Sequence, residues 1–319
     1  MFDCLGSLER QTSDEFEVIL VDNSGRGRVR EACAAPRGVT IIENDRNVGF
    51  GAAINQGFRR SRAPFLAALN DDAVAHPGWI QALLDAMEPH PEAGMCASRI
   101  LLAGDGRLDS AGMLISRDGS TKQRGHGEDP DAFNRPEETL LPSGCAALYR
   151  RNMLDDIGLF DEEFFLYCED SDLGLRAQWA GWKCLYAPGA VVEHRYSHSA
   201  GRASALKAYY VERNRLFLIV KNFPAASLLK SPLAALARYG WHVLFLVEGR
   251  GSAARFRSDG NSPPALLWIV LRAHWAVLLH WPGLWRKRRA IRRRARISSR
   301  AFQGLLATYS ISLRQVAAQ

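Results

Sequence analysis

The stretch Phe65-Leu66-Ala67-Ala68-Leu69-Asn70-Asp71-Asp72, an apolar run that stops abruptly at two carboxylates, constrains this chain more than any other. An apolar run of that length with polar boundaries reads as a buried strand, and in open α/β sheets ligands collect at the carboxyl ends of strands. Adjacent acids in such a place need a counter-charge. A divalent cation shared with a diphosphate supplies one, since Mg²⁺ is held by one or two carboxylates together with substrate phosphates. The plainer reading is that Asp71 and Asp72 open a turn and cap the helix suggested by Pro77 to Leu84. The motif by itself admits both.

The rest of the front half repeats the theme. Phe16 to Val21 reads as a strand ending at Asp22-Asn23-Ser24-Gly25, and Val39 to Glu43 as another. The segment Asn47 to Gly57 is rich in small residues, which permit close backbone approach to a ligand. A helix from Ala52 to Ser61 leads into the Phe65 strand, and the alternation predicts an α/β fold with a parallel or mostly parallel sheet. Between Leu102 and Leu141, Gly, Asp, Arg and Pro break the pattern. This predicts a long, partly mobile connection with short strands such as Gly112 to Ser116, of the kind used as a substrate lid, in which His126 is merely solvated.

The densest stretch runs from Gly158 to Arg176 and holds three aromatics, Phe164, Phe165 and Tyr167, just before Glu169 and Asp170. Helical spacing of Leu173, Ala177 and Ala180, with Gly181 as a stop, predicts a helix that starts at the acidic pair. Asp172 and Arg176 then face each other at i, i+4 as an ion pair. Capping explains one acid, not two behind an aromatic cluster; apolar surroundings raise a carboxyl's pKa and suit it to accept a proton near neutrality. Trp182 to Tyr186 and Ala190 to His194 read as two further strands. Were the second to continue, His194, Tyr196 and His198 would share a face, with either histidine a candidate metal ligand and His198 ordinarily a surface residue.

Six segments in this order resemble the family 2 glycosyltransferases of GT-A fold, in particular the bacterial rhamnosyltransferase-like group. They are Val21-Asp22-Asn23-Ser24, Asn47-Val48-Gly49-Phe50-Gly51, Leu69-Asn70-Asp71-Asp72, Gly144-Cys145-Ala146-Ala147, Phe160 to Phe165 with Glu169 to Asp172, and Val192-Glu193-His194. The resemblance spans about residues 3 to 220. It implies that Asp22 bonds the nucleotide base, with Asn47 and Gly49 in the loop beside it. Asn70-Asp71-Asp72 matches the D-x-D motif with Asn70 in place of the first acid, which gives Asp71 the ribose side and Asp72 the metal, Mg²⁺ or Mn²⁺, completed by His194. Asp170 matches the catalytic base, and Glu169 and Arg176 are expected on the acceptor side. One departure stands out: the family's first strand, central in the sheet, is missing before the first helix, so the natural start is expected upstream.

Charge divides the chain. From Gly201 onward there are 21 Lys or Arg and 3 Asp or Glu, so the tail is strongly basic while the front half is acidic. Leu233 to Val247 and Ala265 to Trp285 are apolar; Arg272 and His274 lie within the second, and Pro282-Gly283 is expected to interrupt its end. This composition predicts helices lying in a membrane interface against anionic lipid, in a region 223–319 distinct from a transferase domain 1–222. A basic helix packed on the catalytic part is the alternative. Six dispersed cysteines without metal spacing and the lack of a signal peptide predict a reduced, cytoplasmic protein, peripheral on the inner face of a bacterial plasma membrane. The expected activity is inverting transfer from a nucleotide-diphosphate sugar, dTDP-L-rhamnose in the first instance, to a glycan or lipid-linked acceptor in cell-envelope polysaccharide synthesis. The rival is a non-catalytic protein that binds polyanions, nucleic acid or anionic membrane, on a degenerate transferase fold.

Overall fold

The computed structural model describes residues 1–27, 29, 38–195, 204–260 and 262–319. Cys33, Tyr196 and His198 lie outside them. The first elements are α1 (Phe2–Glu9), β1 (Val18–Asp22), β2 (Val39–Glu43), α2 (Phe50–Arg60), β3 (Phe65–Leu69), β4 (Ala73–Ala75), α3 (Trp79–Met87) and β5 (Ala93–Leu102). Four short strands follow, β6 (Leu108–Ser110), β7 (Met113–Ile115), β8 (Thr121–Gln123) and β9 (Glu137–Thr139). Then come β10 (Ala146–Arg150), α4 (Arg151–Ile157), α5 (Glu169–Trp179) and the long β11 (Lys183–His194). The remainder is helical: α6 (Ala205–Asn222), α7 (Ala225–Val247), α8 (Gly251–Ser258), α9 (Pro263–Arg293), α10 (Ser299–Thr308) and α11 (Leu313–Ala318).

The main sheet has the order β3-β10-β5-β11-β4, with β6 on β5 and β9 on β11. Side chains alternate across it, as the pleat requires. Met95, Ala97, Ala147 and Tyr149 face one core with Phe58, Met153 and Leu173, whereas Cys96, Leu148 and Val192 face another with Trp79, Leu83 and Met87. Helices α2, α4 and α5 cover the first face and α3 the second, giving a layered α/β architecture.

The expectation of a mostly parallel sheet needs correction. Only β5–β11 and, in a separate two-stranded sheet, β1–β2 pair in parallel among the described strands; β10 lies antiparallel between β3 and β5. Strands β3, β5 and β11 do run in one direction, so the alternation of strands with helices was read correctly. What no local pattern shows is that β10 enters between two of them from the opposite end. No described strand joins β1 to β3, so β1 and β2 form a two-stranded sheet of their own.

The segment 102–141 is not a loose connection. Leu108, Ala111, Ile115, Leu140 and Leu141 are buried, and β6 to β9 tie the segment to β5, to β11 and, through the β7–β8 hairpin, to itself. Its glycines serve tight turns: at Gly112, with φ +98°, an added Cβ would sit 2.3 Å from Thr139 Oγ1. The two strands expected between Trp182 and His194 are one strand with an irregular register between Ala187 and Val191.

The tail packs on the front part. Leu284, Ile291 and Phe302 share a core with Leu175, Trp179 and Phe217. Trp179 stacks on Phe302 with centroids 4.0 Å apart, and the Arg292 guanidinium lies 3.4 Å from the centroid of the Trp179 ring. Helix α9 runs through Pro282 instead of stopping there. A proline removes one helical hydrogen bond, and Leu284, Arg288 and Ile291 are held by burial on the far side. The five described cysteines are free thiols.

Candidate active site

One end of the sheet gathers the carboxyl ends of β3, β5 and β11 and the amino end of β10. Ala146 pairs with Leu69, and His194 lies between Leu102 of β5 and Ala73 of β4. The residues before β10 connect what the sheet brings together: Asn70 N donates to Cys145 O at 2.9 Å, and Gly144 N donates to Asp170 Oδ2 at 2.9 Å. Two residues of backbone thus fasten the Asn70-Asp71-Asp72 tip to the start of α5.

At the tip Asp71 is exposed, and Asp72 Oδ1 lies 3.4 Å from His194 Nε2. Behind the ring, His194 Nδ1 is 2.8 Å from Asp109 Oδ2, and the other oxygen of Asp109 is 3.0 Å from His126 Nδ1. Burial by itself lowers the His194 pKa; its hydrogen bonds to Asp109 and Asp72 outweigh that and push it up to about 12. Asp109 itself is 2% exposed; burial raises its pKa, and the two histidines outweigh this and hold the carboxyl below its ordinary value. His126 is therefore not the solvated loop residue expected from sequence but the far end of a chain Asp72–His194–Asp109–His126. Asp109 was not singled out in the sequence. Its only local signal is a lone acid in Leu108-Asp109-Ser110, and β6 pairing with β5 is what places it behind a histidine 85 residues away.

Would these residues suit the expected Mg²⁺ or Mn²⁺? The donor set is one carboxylate and one imidazole, which gives up its Nε2 proton when it takes a cation and whose second nitrogen is held by a buried carboxylate, the arrangement found around metal-ligating histidines. It leaves positions for phosphate oxygens, as such cations require. No group of three His, Cys, Asp or Glu converges as a cation cage among the described residues.

The nucleotide-side expectations fall on a separate network. Asp22 is 5% exposed, and its carboxylate accepts from Ser24 N at 2.9 Å and Val29 N at 3.1 Å, so it shapes the turn after β1. Asn47 Oδ1 accepts from Asn23 Nδ2 at 2.9 Å and from Gly49 N at 2.8 Å. Gly49 has φ +90°, and a Cβ there would lie 2.4 Å from Phe165 O, which in turn accepts from Phe50 N at 2.8 Å. Only glycine fits, because the loop is pressed against the segment that carries the acids of α5.

That segment is held in an unusual state. Phe165, Tyr167 and Cys168 have φ of 62°, 69° and 65°, a left-handed conformation costly for side-chain-bearing residues. Asn214 of α6, wholly buried, stabilises it: its amide donates to the carbonyls of Phe164, Leu166 and Tyr167 at 2.9, 2.8 and 2.7 Å. Arg213 adds bonds to the carbonyls of Glu163 and Phe164 at 2.8 Å each. The payoff is the placement of Asp170, whose oxygens take Gly144 N, Ser171 N and Ser171 Oγ. Burial raises its pKa, and those hydrogen bonds restrain the rise.

The two residues expected on the acceptor side both lie in the interior. Glu169 is buried, with Oε2 unpartnered among the described residues; burial first and the Asp170 charge second push its pKa up to about 8. Burial and the neighbouring acid thus favour its protonated form. Arg176 is also buried: it pairs with Asp172 at 2.9 Å, as its spacing predicted, and donates to the carbonyls of Ile157, Gly158 and Leu159. With every face of the guanidinium engaged, it fastens the loop after α4. Asp172 in turn takes Lys221 at 2.7 Å and Asn222 at 2.8 Å.

The order of strands and the acid-bearing tips match the GT-A fold expected from the sequence. Solved structures agree on the fold. GalNAc-T7 with UDP, GalNAc and Mn²⁺ superimposes with a TM-score of 0.58 at 15% identity, covering 88% of this chain and 55% of that one. The mannosyltransferase PcManGT from Pyrobaculum calidifontis, in complex with GDP-Man and Mn²⁺, gives 0.50 at 16% identity, covering 91% and 80%. The family model described as glycosyl transferase family 2 matches residues 3–158. The N-acetylglucosaminyl-diphospho-decaprenol L-rhamnosyltransferase of Mycobacterium tuberculosis is 32% identical over 232 residues, 65% of this chain and 76% of the relative. The pre-mycofactocin glycosyltransferase of the same organism is 26% identical over 277 residues, 83% and 58%. The chain belongs to glycosyltransferase family 2, in its rhamnosyltransferase-like group.

Proposed function

We propose that this chain is an inverting, metal-dependent transferase that moves a sugar, dTDP-L-rhamnose being the first donor to test, onto a lipid-linked glycan at the cytoplasmic face of the membrane. The supporting observation is the bridge through Gly144 and Cys145, which sets the Asp170 carboxylate and the Asp72–His194 pair at one end of the sheet. An acceptor hydroxyl attacks the anomeric carbon, the bond to the diphosphate oxygen breaks, its electron pair leaves with the diphosphate, and the hydroxyl proton passes to Asp170. A base opposite the leaving group gives inversion. Asp72 and His194 hold the cation; when bound, it supplies positive charge to the leaving diphosphate oxygens. Asp22, Asn47, Gly49 and Asp71 shape the nucleotide side.

The membrane assignment is supported by apolar faces on α7 and α9. Leu229, Leu233, Leu236 and Val243 are at least 61% exposed along one stripe of α7, and Leu267, Trp268, Trp275 and Leu279 are at least as open on α9. Spacings of three, four and seven residues keep most of them on one side of each helix. A helix of α9's composition is also long enough to cross a bilayer, but Arg272 in its middle and its contact with α6 favour a surface position. Part of the basic tail turns inward instead: Lys287 binds Asp161 and Glu163, and Arg288 and Arg292 bind carbonyls of Val220, Asn222 and Phe223. Arg286, Arg289 and Arg293 remain exposed for anionic lipid.

The test is release of nucleoside diphosphate across a panel of sugar donors with Mn²⁺ or Mg²⁺. Transfer from at least one donor, lost in Asp170→Asn, is expected; equal turnover in that variant would sink the base assignment.

A further inference from the structure

Between Asp170 and the apolar face of α9 lies a chain of aromatic rings and cations that the chemistry above does not use. Phe165, on the strained segment, packs against Tyr210 of α6 with centroids 5.3 Å apart, and Tyr210 against Tyr209 at 5.4 Å. The Arg213 guanidinium sits 4.7 Å from the Tyr210 ring, and Lys207 Nζ is 5.6 Å from the ring of Tyr167, three residues before Asp170. At the outer end, the Arg272 guanidinium lies 4.2 Å over Tyr209.

Arg272 is out of place by ordinary rules. It is exposed in the middle of an apolar face, flanked on the helix by Trp268 at i−4 and Trp275 at i+3, which are 67% and 61% exposed. No carboxylate pairs with it among the described residues, and the sequence has no Asp or Glu at all from Gly260 to its end. A cation held over an aromatic ring and exposed beside an apolar surface suits an anion attached to a hydrocarbon.

The zones occur in a definite order: a carboxylate base, aromatic rings with cations, then an open apolar helix face. A sugar joined through a diphosphate to a polyisoprenyl chain presents hydroxyl, phosphates and hydrocarbon in the same order. We propose that Tyr209 and Tyr210 with Arg272 and Lys207 form the subsite for the diphosphate of a polyisoprenyl-linked acceptor, whose hydrocarbon lies along Trp268, Leu271 and Trp275. Nucleic acid fits less well, since it would leave this apolar face exposed. The inference rests on the glycosyltransferase reading for its direction, Asp170 marking the sugar end.

Binding to the full chain tests it without turnover. Titrating farnesyl diphosphate, farnesol and inorganic pyrophosphate by calorimetry, we expect farnesyl diphosphate to bind at least about tenfold tighter than either fragment, because charge and hydrocarbon are recognised together. Arg272→Ala lowers that affinity about tenfold or more, Arg272→Lys retains most of it, and the exposed Arg300→Ala changes nothing. Farnesyl diphosphate affinity within twofold of wild type in Arg272→Ala, or farnesol binding as tightly as farnesyl diphosphate, overturns the subsite. Stabilisation by UDP or dTDP with Mn²⁺ is measured on the same samples. Its absence in the wild type counts against the transferase reading, while the farnesyl series still judges the subsite.

Discussion

Replacing Glu169 by Gln changes a single proton-binding group, and its effect on stability follows from the structure. Glu169 is 6% exposed with one oxygen unpartnered, and its pKa is pushed from 4.5 to about 8 by burial and then by the charge of Asp170. The folded protein therefore holds a proton that the unfolded chain releases above about pH 4.5. Between the two pKa values the unfolded state binds fewer protons, so stability falls as pH rises, and above about 8 the loss is complete. For these two values linkage gives a destabilisation of less than about 1 kcal/mol at pH 5 and about 4 kcal/mol at pH 7.5. The Gln amide matches the protonated carboxyl in shape and does not titrate. Any cost of burying its NH₂ group is the same at every pH, so the pH dependence of the difference isolates the proton. Urea unfolding of both proteins from pH 5 to 7.5, without ligand, is expected to show wild type losing about 3 kcal/mol relative to Glu169→Gln. Parallel stability curves would refute the reasoning and mean that Glu169 is ionised or solvated in the folded state.

Asp170→Asn is expected to retain nucleotide binding while transfer falls by about 10²- to 10⁴-fold, the range for loss of a general base; calorimetry and turnover on the same preparation check it. Asp109→Asn, which touches neither substrate nor cation, is expected to weaken Mn²⁺-dependent binding of nucleoside diphosphate by about 10- to 100-fold through loss of His194 orientation. Unchanged Mn²⁺ affinity by calorimetry would remove Asp109 from that role. Asn214→Ala strips hydrogen bonds from three carbonyls of a left-handed segment and is expected to cost about 2–4 kcal/mol in urea unfolding. Its kcat should fall and its donor KM should rise as well, because the segment that Asn214 holds both places Asp170 and supports the Gly49 loop through Phe165.

What sequence by itself determined are features whose cause is local. The apolar runs ending at Asp22 and at Asp72, the helix that begins at Glu169, and the Asp172–Arg176 pair can be read because strand period, capping and i, i+4 spacing act over a few residues. The position of Asp170 at a helix start behind three aromatics belongs to the same class. Tertiary structure decided everything that depends on partners far along the chain. The antiparallel entry of β10 makes a mixed sheet from strands that look like a parallel series. Pairing of β6 with β5 turns Asp109 and His126 from loop residues into supports for His194. Glu169 and Arg176 carry charges that suggest an open, substrate-facing surface, yet folding buries both, raising the pKa of one and enclosing the other in carbonyls. Asn214 carries no local sign of its task, because the strain it relieves lies about fifty residues away and exists only once α6 has docked. The basic tail divides in the same manner: its charge is written in composition, but which arginines face inward and which face outward is set by how α9 packs on α6.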